Sequence, residues 1–516
     1  MTSYRITLEK PRLELPQPHV EDRPDVVQSF LTDAAHVPGG NAAGVAFPGN
    51  EHEVAALVAH SPRILPVGAQ SSLTGGATPR GDIVLSTRAL NRISPPVGRS
   101  VQACCGAPVS ALQQMLARAG LYYPPVPTYE GAFIGGTIAT NAAGAATFKY
   151  GSTRNWVEAL TIVLADGSTL RLRRGEVRAS RDGSFEFEHP NGHIIRVAVP
   201  SYSMPPVPKL SAGYYARPDM DLIDLFIGAE GTLGIIVDAT LRVIPRPSRC
   251  IALIRCVSES QALAATAALR EGARRAWRGA GVLDVAAIEY MDGHTVSLVP
   301  DEIFARTGLT RPAGTASLLF VQLELREDEE AALTELQNVL EEADISADPD
   351  LAMPEDDRAA ARLLELREAA PSAVNAMIAV AKQRIHPDIQ KVAGDMIVPF
   401  DRLADSLALY RSAFEQRGLE YAIWGHVSDG NLHPNALPRS LDEVKRGQEA
   451  ILEIGRAVIA MGGAPLAEHG VGRSPLKQQL LLELYGERGV DEMRQVKRAL
   501  DPEWKLARGV IFSPDP

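Results

Sequence analysis

Three small-residue tracts, each beside a short apolar run, fall between positions 68 and 234 and limit what the first half of the chain can become. The first, Gly68-Ala69-Gln70-Ser71-Ser72-Leu73-Thr74-Gly75-Gly76-Ala77, separates the strand patterns Ile64 to Val67 and Ile83 to Ser86. The second runs from Gly135-Gly136 through Thr140-Asn141-Ala142-Ala143-Gly144 to Lys149-Tyr150-Gly151. The third, Gly228-Ala229-Glu230-Gly231-Thr232-Leu233-Gly234, leads into a strand from Ile235 to Ile244. Glycines in loops between strands let the backbone approach a ligand and leave amides free for phosphate oxygens. Three such tracts exceed what turns require, so they predict a large, phosphate-bearing cofactor. A GxGxxG fingerprint after a first strand and a GxxxxGK[ST] loop are both missing, which disfavours a nicotinamide Rossmann domain and a nucleotide triphosphatase.

The second constraint is Trp424-Gly425-His426-Val427-Ser428-Asp429-Gly430-Asn431-Leu432-His433-Pro434-Asn435. Asp-Gly between apolar runs signals a two-residue hairpin turn. With Asp429 and Gly430 as the turn, 428 faces 431, 427 faces 432, and His426 faces His433 on one side of the ribbon. Directly opposed β-carbons lie ~4.5–5.5 Å apart, close enough for two imidazoles to share a cation. Ala467-Glu468-His469-Gly470 offers a third ligand in Glu468. Two histidines and a glutamate with an open position describe a catalytic metal site better than a structural one. The plainer alternative is a pair of hydrogen-bonded strand histidines beside an ordinary turn.

At 516 residues the chain calls for more than one domain. A weakly periodic, proline-rich arm is expected over 1–37, either draped over the body or partly disordered. Short strands and helices over 38–247 form the glycine-tract domain, with helices expected over Glu51 to His60 and Pro108 to Ala119 and a hairpin from Val157 to Arg173. After Pro245-Arg246-Pro247 the pattern changes. Strands at 250–257, 282–289 and 317–325 with helices at 260–278 and 328–343 predict an open sheet covered by helices over 248–458. Helices then dominate 355–380, and a further segment, 459–516, carries Glu468 and a long helix from Leu476 to Leu500. The net charge of −11 argues against nucleic acid as a partner. Cys104, Cys105, Cys250 and Cys256 show no metal spacing and read as buried free thiols, which suits a reducing compartment. The N-terminus lacks a hydrophobic signal core and no run approaches the ~18 apolar residues of a membrane span, so a cytoplasmic location is expected, with peripheral membrane contact left open.

Taken together, Pro66-Val67-Gly68 through Ala77, the Gly135 to Gly144 tract, Lys149-Tyr150-Gly151 and the Gly228 to Gly234 tract resemble the FAD-binding segments of the vanillyl-alcohol-oxidase/PCMH flavoprotein superfamily. The histidine hairpin and Glu468-His469-Gly470 resemble its D-lactate dehydrogenase, glycolate oxidase GlcD-like and D-2-hydroxyglutarate dehydrogenase branch. The likeness spans roughly 40–512. It implies an α+β fold: a PCMH-type FAD-binding domain, an α+β substrate (cap) domain with an open antiparallel sheet, and a C-terminal helical segment that completes the active site and packs on the FAD domain.

By position, the resemblance assigns FAD contacts to Pro66, Gly68, Ala69, Gln70, Ser71, Ser72, Thr74, Gly75 and Gly76 in the first tract. It adds Gly135, Gly136, Thr140, Asn141, Gly144, Tyr150 and Gly151 in the second, and Glu230, Gly231, Gly234 and Ile235 in the third. The first loop has no histidine for covalent attachment, so noncovalent FAD is expected. His426, His433 and Glu468 would hold a divalent metal, with zinc the expected ion, His469 would be the base, and Arg367 and Asn435 would contact substrate. His469, one residue after Glu468, is expected to point away from it if the segment is extended. The implied reaction is oxidation of a D-2-hydroxy acid to the 2-oxo acid. Electrons would pass to a quinone, an electron-transfer protein or oxygen; a homodimer is allowed. Three departures stand out: Ser428 where glycine is common, Ala393 where a lysine often stands two residues before Asp395, and Leu506-Ala507-Arg508-Gly509 where an NPGK-like run is usual. The lost cation argues against a dicarboxylate. An alkylglycerone-phosphate synthase type of non-redox flavoenzyme, an oxidase of another alcohol and a flavin-free metallohydrolase remain as alternatives.

Overall fold

The computed structural model describes residues 3–10, 18–309, 311, 317–326 and 328–513. Two compact units divide the chain: residues 1–144, 151–246 and 466–516 form one, and 145–150 with 247–465 form the other. The fold is α+β, and no helix among the described residues is long and apolar enough to cross a membrane.

In the first unit, Asn41–Ala46, Arg80–Ser86 and Ile64–Val67 pair in parallel, and the first glycine tract is the crossover between the last two. Val45, Ile64, Val84 and Leu85 are wholly buried, as expected for the branched residues of a strand covered on both faces. The helix Glu51–His60 starts where Asn50 accepts the backbone N–H of His52 and Glu53, at 3.1 and 3.0 Å, and Glu53 returns a bond to Gly49 N–H. A second sheet, all antiparallel, runs in the order Ser100–Cys104, Ile235–Arg242, Val157–Val163, Thr169–Arg173. Much of the arm is built into this unit: Arg5–Thr7 pairs with Ser184–Glu188, and Val20–Glu21 pairs with Asn41–Ala46. Residues 11–17 of the arm lie outside the described residues.

The second unit is built on one sheet, antiparallel throughout, whose centre is Ser248–Cys256, Ser317–Leu325, Val285–Met291, Tyr421–His426 and Asn431–Ala436. One face packs Leu253, Met291, Leu318 and Phe320 on Leu363 and Leu366 of a single helix, Asp357–Arg384. Pro371 lies inside that helix and has no N–H to give the carbonyl of Arg367 one turn back. All four cysteines are free, and Cys105, Cys250 and Cys256 are buried.

Two expectations need correction. Gly135 and Gly136 are not loop residues but lie in the short helix Ile134–Ala139. The histidine hairpin does not close on a two-residue turn: Val427–Asp429 form a 3₁₀ turn, Gly430 is left-handed, and His426 pairs with Asn431 while His433 pairs with Trp424. The longer turn is held by bonds from outside it. Ser428 Oγ accepts the Ile288 N–H at 3.1 Å, and Gly430 O accepts the Val398 N–H at 3.1 Å. A Cβ on Gly430 would stand 2.3 Å from Val398 O, so both the turn and the close approach demand glycine.

Candidate active site

The corrected register shifts pairing by two residues, which preserves the face: Trp424, His426, Asn431, His433 and Asn435 share one side of the ribbon. His426 and His433 therefore meet diagonally, with ring centroids 5.6 Å apart and planes at 88°. Both are buried. Each has a carboxylate beside Nδ1: Glu289 Oε1 lies 3.0 Å from His426 Nδ1, and Asp395 Oδ1 lies 3.7 Å from His433 Nδ1. Asp395 is itself fixed by Asn431 Nδ2 at 3.1 Å. A carboxylate hydrogen-bonded at Nδ1, as Glu289 is to His426, sets the tautomer and turns Nε2 toward a ligand, the arrangement that backs metal-binding histidines; Asp395 stands beyond hydrogen-bond distance of His433 and is a neighbouring charge there. The donor set fits a divalent cation of the zinc type.

Arg367 projects from the long helix onto this face. Its Nε and Nη2 donate to Glu289 Oε2 at 3.0 and 2.8 Å, and Nη1 pairs with Glu368. The neighbouring Arg367 and His426 hold the buried Glu289 carboxyl well below the ordinary range despite its desolvation. Three of the guanidinium's five N–H bonds are committed, leaving one on each Nη. Asn435 is buried, and its Nδ2 donates to the His433 carbonyl at 2.6 Å. Lys391 stands over the Trp424 ring at 5.9 Å, with burial pushing its ammonium down.

Glu468 and His469 belong to the first unit. Lys209 Nζ donates to Glu468 Oε2 at 2.8 Å, and His469 Nε2 lies 3.6 Å from Glu468 Oε1. The side chains of Glu468 and His469 thus converge rather than point apart. The reason lies in the turn that follows: Gly470 and Gly472 have positive φ, and the segment is not extended. Glu230, from the third glycine tract, accepts the backbone N–H of Val471 and Gly472, each at 2.8 Å. Burial pushes the Glu230 carboxyl up to about 7.

The glycine tracts divide by what their missing side chains would meet. A Cβ on Gly135 would strike Cys105 Cβ at 2.5 Å, on Gly144 the Val126 carbonyl at 2.2 Å, on Gly231 Pro66 at 2.6 Å, and on Gly234 Ile162 at 2.5 Å. These four glycines serve close packing. Gly136 has no heavy atom within 4 Å of that position, and Gly68 meets only Phe133 at 3.6 Å or beyond. Within the first loop Ser72 Oγ accepts the N–H of Thr74 and Gly76, while Gln70 takes φ +55° and bonds the carbonyls of Ser29 and Thr32. Asn141, also left-handed, bonds Leu210 O and Arg154 N–H, and Thr140 bonds Gly136 O. The backbone beside Gly68 and Gly136 is open enough to fit a cofactor lying against it. Tyr150 falls in the second unit and donates to Glu324 Oε2 at 2.5 Å, while Gly151, with φ +73°, begins the next stretch of the first.

Residues 42–173 match the family described as FAD binding domain, and 248–511, more than half of the chain, match the C-terminal domain of FAD linked oxidases. The chain belongs to the FAD-linked oxidases. It is 29% identical to the glycolate oxidase subunit GlcD of Bacillus subtilis, over 91% of this chain and 88% of that one. It is 28% identical to the D-2-hydroxyglutarate dehydrogenase of Xanthomonas citri pv. viticola (92% and 89% covered) and to the D-lactate dehydrogenase of Archaeoglobus fulgidus (90% and 90%). A solved alkyldihydroxyacetonephosphate synthase superposes with a TM-score of 0.61 over 95% of this chain and 81% of its own, at 15% identity, a likeness of fold alone. The FAD-binding domain sets aside the flavin-free hydrolase. Glu289, Lys209 and the bonding of Asp395 to Asn431 beside His433 were missed by sequence reasoning. Glu289 left a signal, as the single acid in the otherwise apolar, wholly buried strand Val285–Met291.

Proposed function

We propose that this FAD-linked oxidase oxidises a D-2-hydroxy acid to the 2-oxo acid. The observation that carries the reading is the buried His426 and His433 pair, with Glu289 bonded at His426 Nδ1 and the Asp395 carboxylate 3.7 Å from His433 Nδ1, in a chain of this family. His426 and His433 would hold a divalent metal through Nε2, with Glu468 as the third ligand that the sequence resemblance implies. Bound FAD supplies the hydride acceptor, and a bound metal supplies charge stabilisation for the substrate oxygens.

The chain's own residues do the rest. His469 accepts the hydroxyl proton at an imidazole nitrogen. Arg367, held in one plane by Glu289, presents its two remaining N–H bonds to the substrate carboxylate. Asn435 holds the substrate through the polar atoms that its bond to the His433 carbonyl leaves over. Ala393 brings no charge to its position, which favours a monocarboxylate with a short side chain over a second carboxylate. The names of the relatives support the wider 2-hydroxy-acid class and do not choose within it: a D-lactate dehydrogenase and a glycolate oxidase subunit stand beside a D-2-hydroxyglutarate dehydrogenase.

The test is an anaerobic screen of D- and L-2-hydroxy acids, read as loss of flavin absorbance. Bleaching by D-monocarboxylates, and little by D-2-hydroxyglutarate, is expected. A flavin that no D-2-hydroxy acid reduces would defeat the proposal.

A further inference from the structure

Glu289 splits its two oxygens between two partners that the proposed reaction uses for different ends. Oε1 faces His426 Nδ1 at 3.0 Å, and Oε2 receives both Nε and Nη2 of Arg367 at 3.0 and 2.8 Å. A carboxylate bonded at one oxygen alone can still turn about its final torsion, which is broad and only roughly two-fold. With Arg367 on the second oxygen as well as His426 beside the first, both ends of the carboxylate are held and its plane is fixed. The neighbouring strands set the rest: Glu289 stands on Val285–Met291, His426 on the adjoining Tyr421–His426, and both face the helix that carries Arg367.

We propose that Glu289 is a positioning residue that couples His426 to Arg367, so that Arg367 helps set metal affinity without touching the metal. This deepens the metal reading given above and rests on it. The orientation runs in one direction through three side chains. The guanidinium fork holds the Glu289 plane, the plane holds the imidazole, and the imidazole then offers Nε2 along a fixed line. Loosening any link lets the ring swing and costs affinity, as loss of a partner behind a ligating histidine does elsewhere. Arg367 would then have two roles, one toward substrate and one toward the metal ligand, and no substitution at 367 could remove the first without disturbing the second.

The experiment uses the full-length flavoprotein, stripped of metal, and measures the Zn²⁺ dissociation constant by competition with a chromogenic chelator. Flavin content reports whether each variant retains the cofactor. Glu289→Gln and Arg367→Met are each expected to weaken Zn²⁺ binding by ~10–100-fold with flavin retained. Arg367→Lys keeps the charge but not the two-point contact, and is expected to weaken binding as well; it decides the matter if the Met variant fails to fold. Glu368→Gln removes the other partner of Arg367, a half-exposed residue that follows it on the helix, and should leave the constant unchanged. Wild-type affinity in the Arg367 variants would overturn the coupling. A wild-type protein that binds no Zn²⁺ would instead overturn the metal reading beneath it.

Discussion

Lys209 donates to Glu468 at 2.8 Å with its own side chain wholly buried. A buried ion pair offsets two desolvation costs by one attraction, and removing one partner leaves the other charge uncompensated. If Glu468 is a metal ligand, a bound cation supplies a second source of compensation. Lys209→Met should therefore unfold at a lower temperature than wild type in the presence of a chelator. Added Zn²⁺ should recover more of the thermal midpoint in the variant than it adds to wild type. Equal Zn²⁺ shifts in the two proteins would remove Glu468 from the ligand set.

Noncovalent attachment of FAD is expected because the loop from Gly68 to Ala77 carries no histidine, cysteine or tyrosine. Acid precipitation should leave the yellow chromophore in the supernatant. Colour retained in the washed pellet would show a covalent link from some other residue.

Glu230 ties the third glycine tract to the backbone after His469, and burial has pushed its carboxyl up to about 7 from an ordinary value of 4.5. A carboxyl whose folded value is raised contributes stability that is fully present below the unfolded value and is lost as pH rises through the folded one. The loss should fall between about pH 4.5 and about pH 7. Thermal midpoints of wild type and Glu230→Gln, compared across that window, should diverge, with wild type losing more stability toward alkaline pH. Parallel profiles would mean that Glu230 titrates normally.

Legibility in the sequence followed locality. The strand Ile64–Val67 was readable as a short apolar run stopped by Gly68, Ser317–Leu325 as an apolar run that ends at the charged Arg326-Glu327-Asp328, and the helix Glu51–His60 because Asn50 and Glu53 mark its start. The hairpin was readable as a hairpin but not in register. Asp-Gly favours the shorter turn locally, whereas the longer one is fixed by Ile288 and Val398, 140 and 32 residues away. The histidines survived that error because a shift of two residues keeps the face. Lys209 gave no signal, since it follows the proline-rich Pro205-Pro206-Val207-Pro208, where no periodicity marks a residue as buried. Arg367 was found by position alone. Its bonds to Glu289 depend on a strand 78 residues away.

His469 lies 3.6 Å from Glu468 through its Nε2, and its side chain is about a quarter exposed, against 8% for the Glu468 side chain. A base must keep one nitrogen free to take a proton and must reach a substrate, and partial exposure meets the second need better than burial would. The proximity to Glu468 adds a stabilising charge for the imidazolium formed when the hydroxyl proton arrives. His469→Ala should therefore retain FAD, because its neighbours Gly470 to Gly472 remain anchored on Glu230. Flavin reduction by a D-2-hydroxy acid should slow by ~10²–10⁴-fold, the usual contribution of a positioned general base. Substrate affinity should change much less, since the Arg367 guanidinium is untouched. Stopped-flow reduction under anaerobic conditions separates the two quantities: the limiting rate should fall while the half-saturating concentration stays near its wild-type value. An unchanged limiting rate would mean that another group takes the proton.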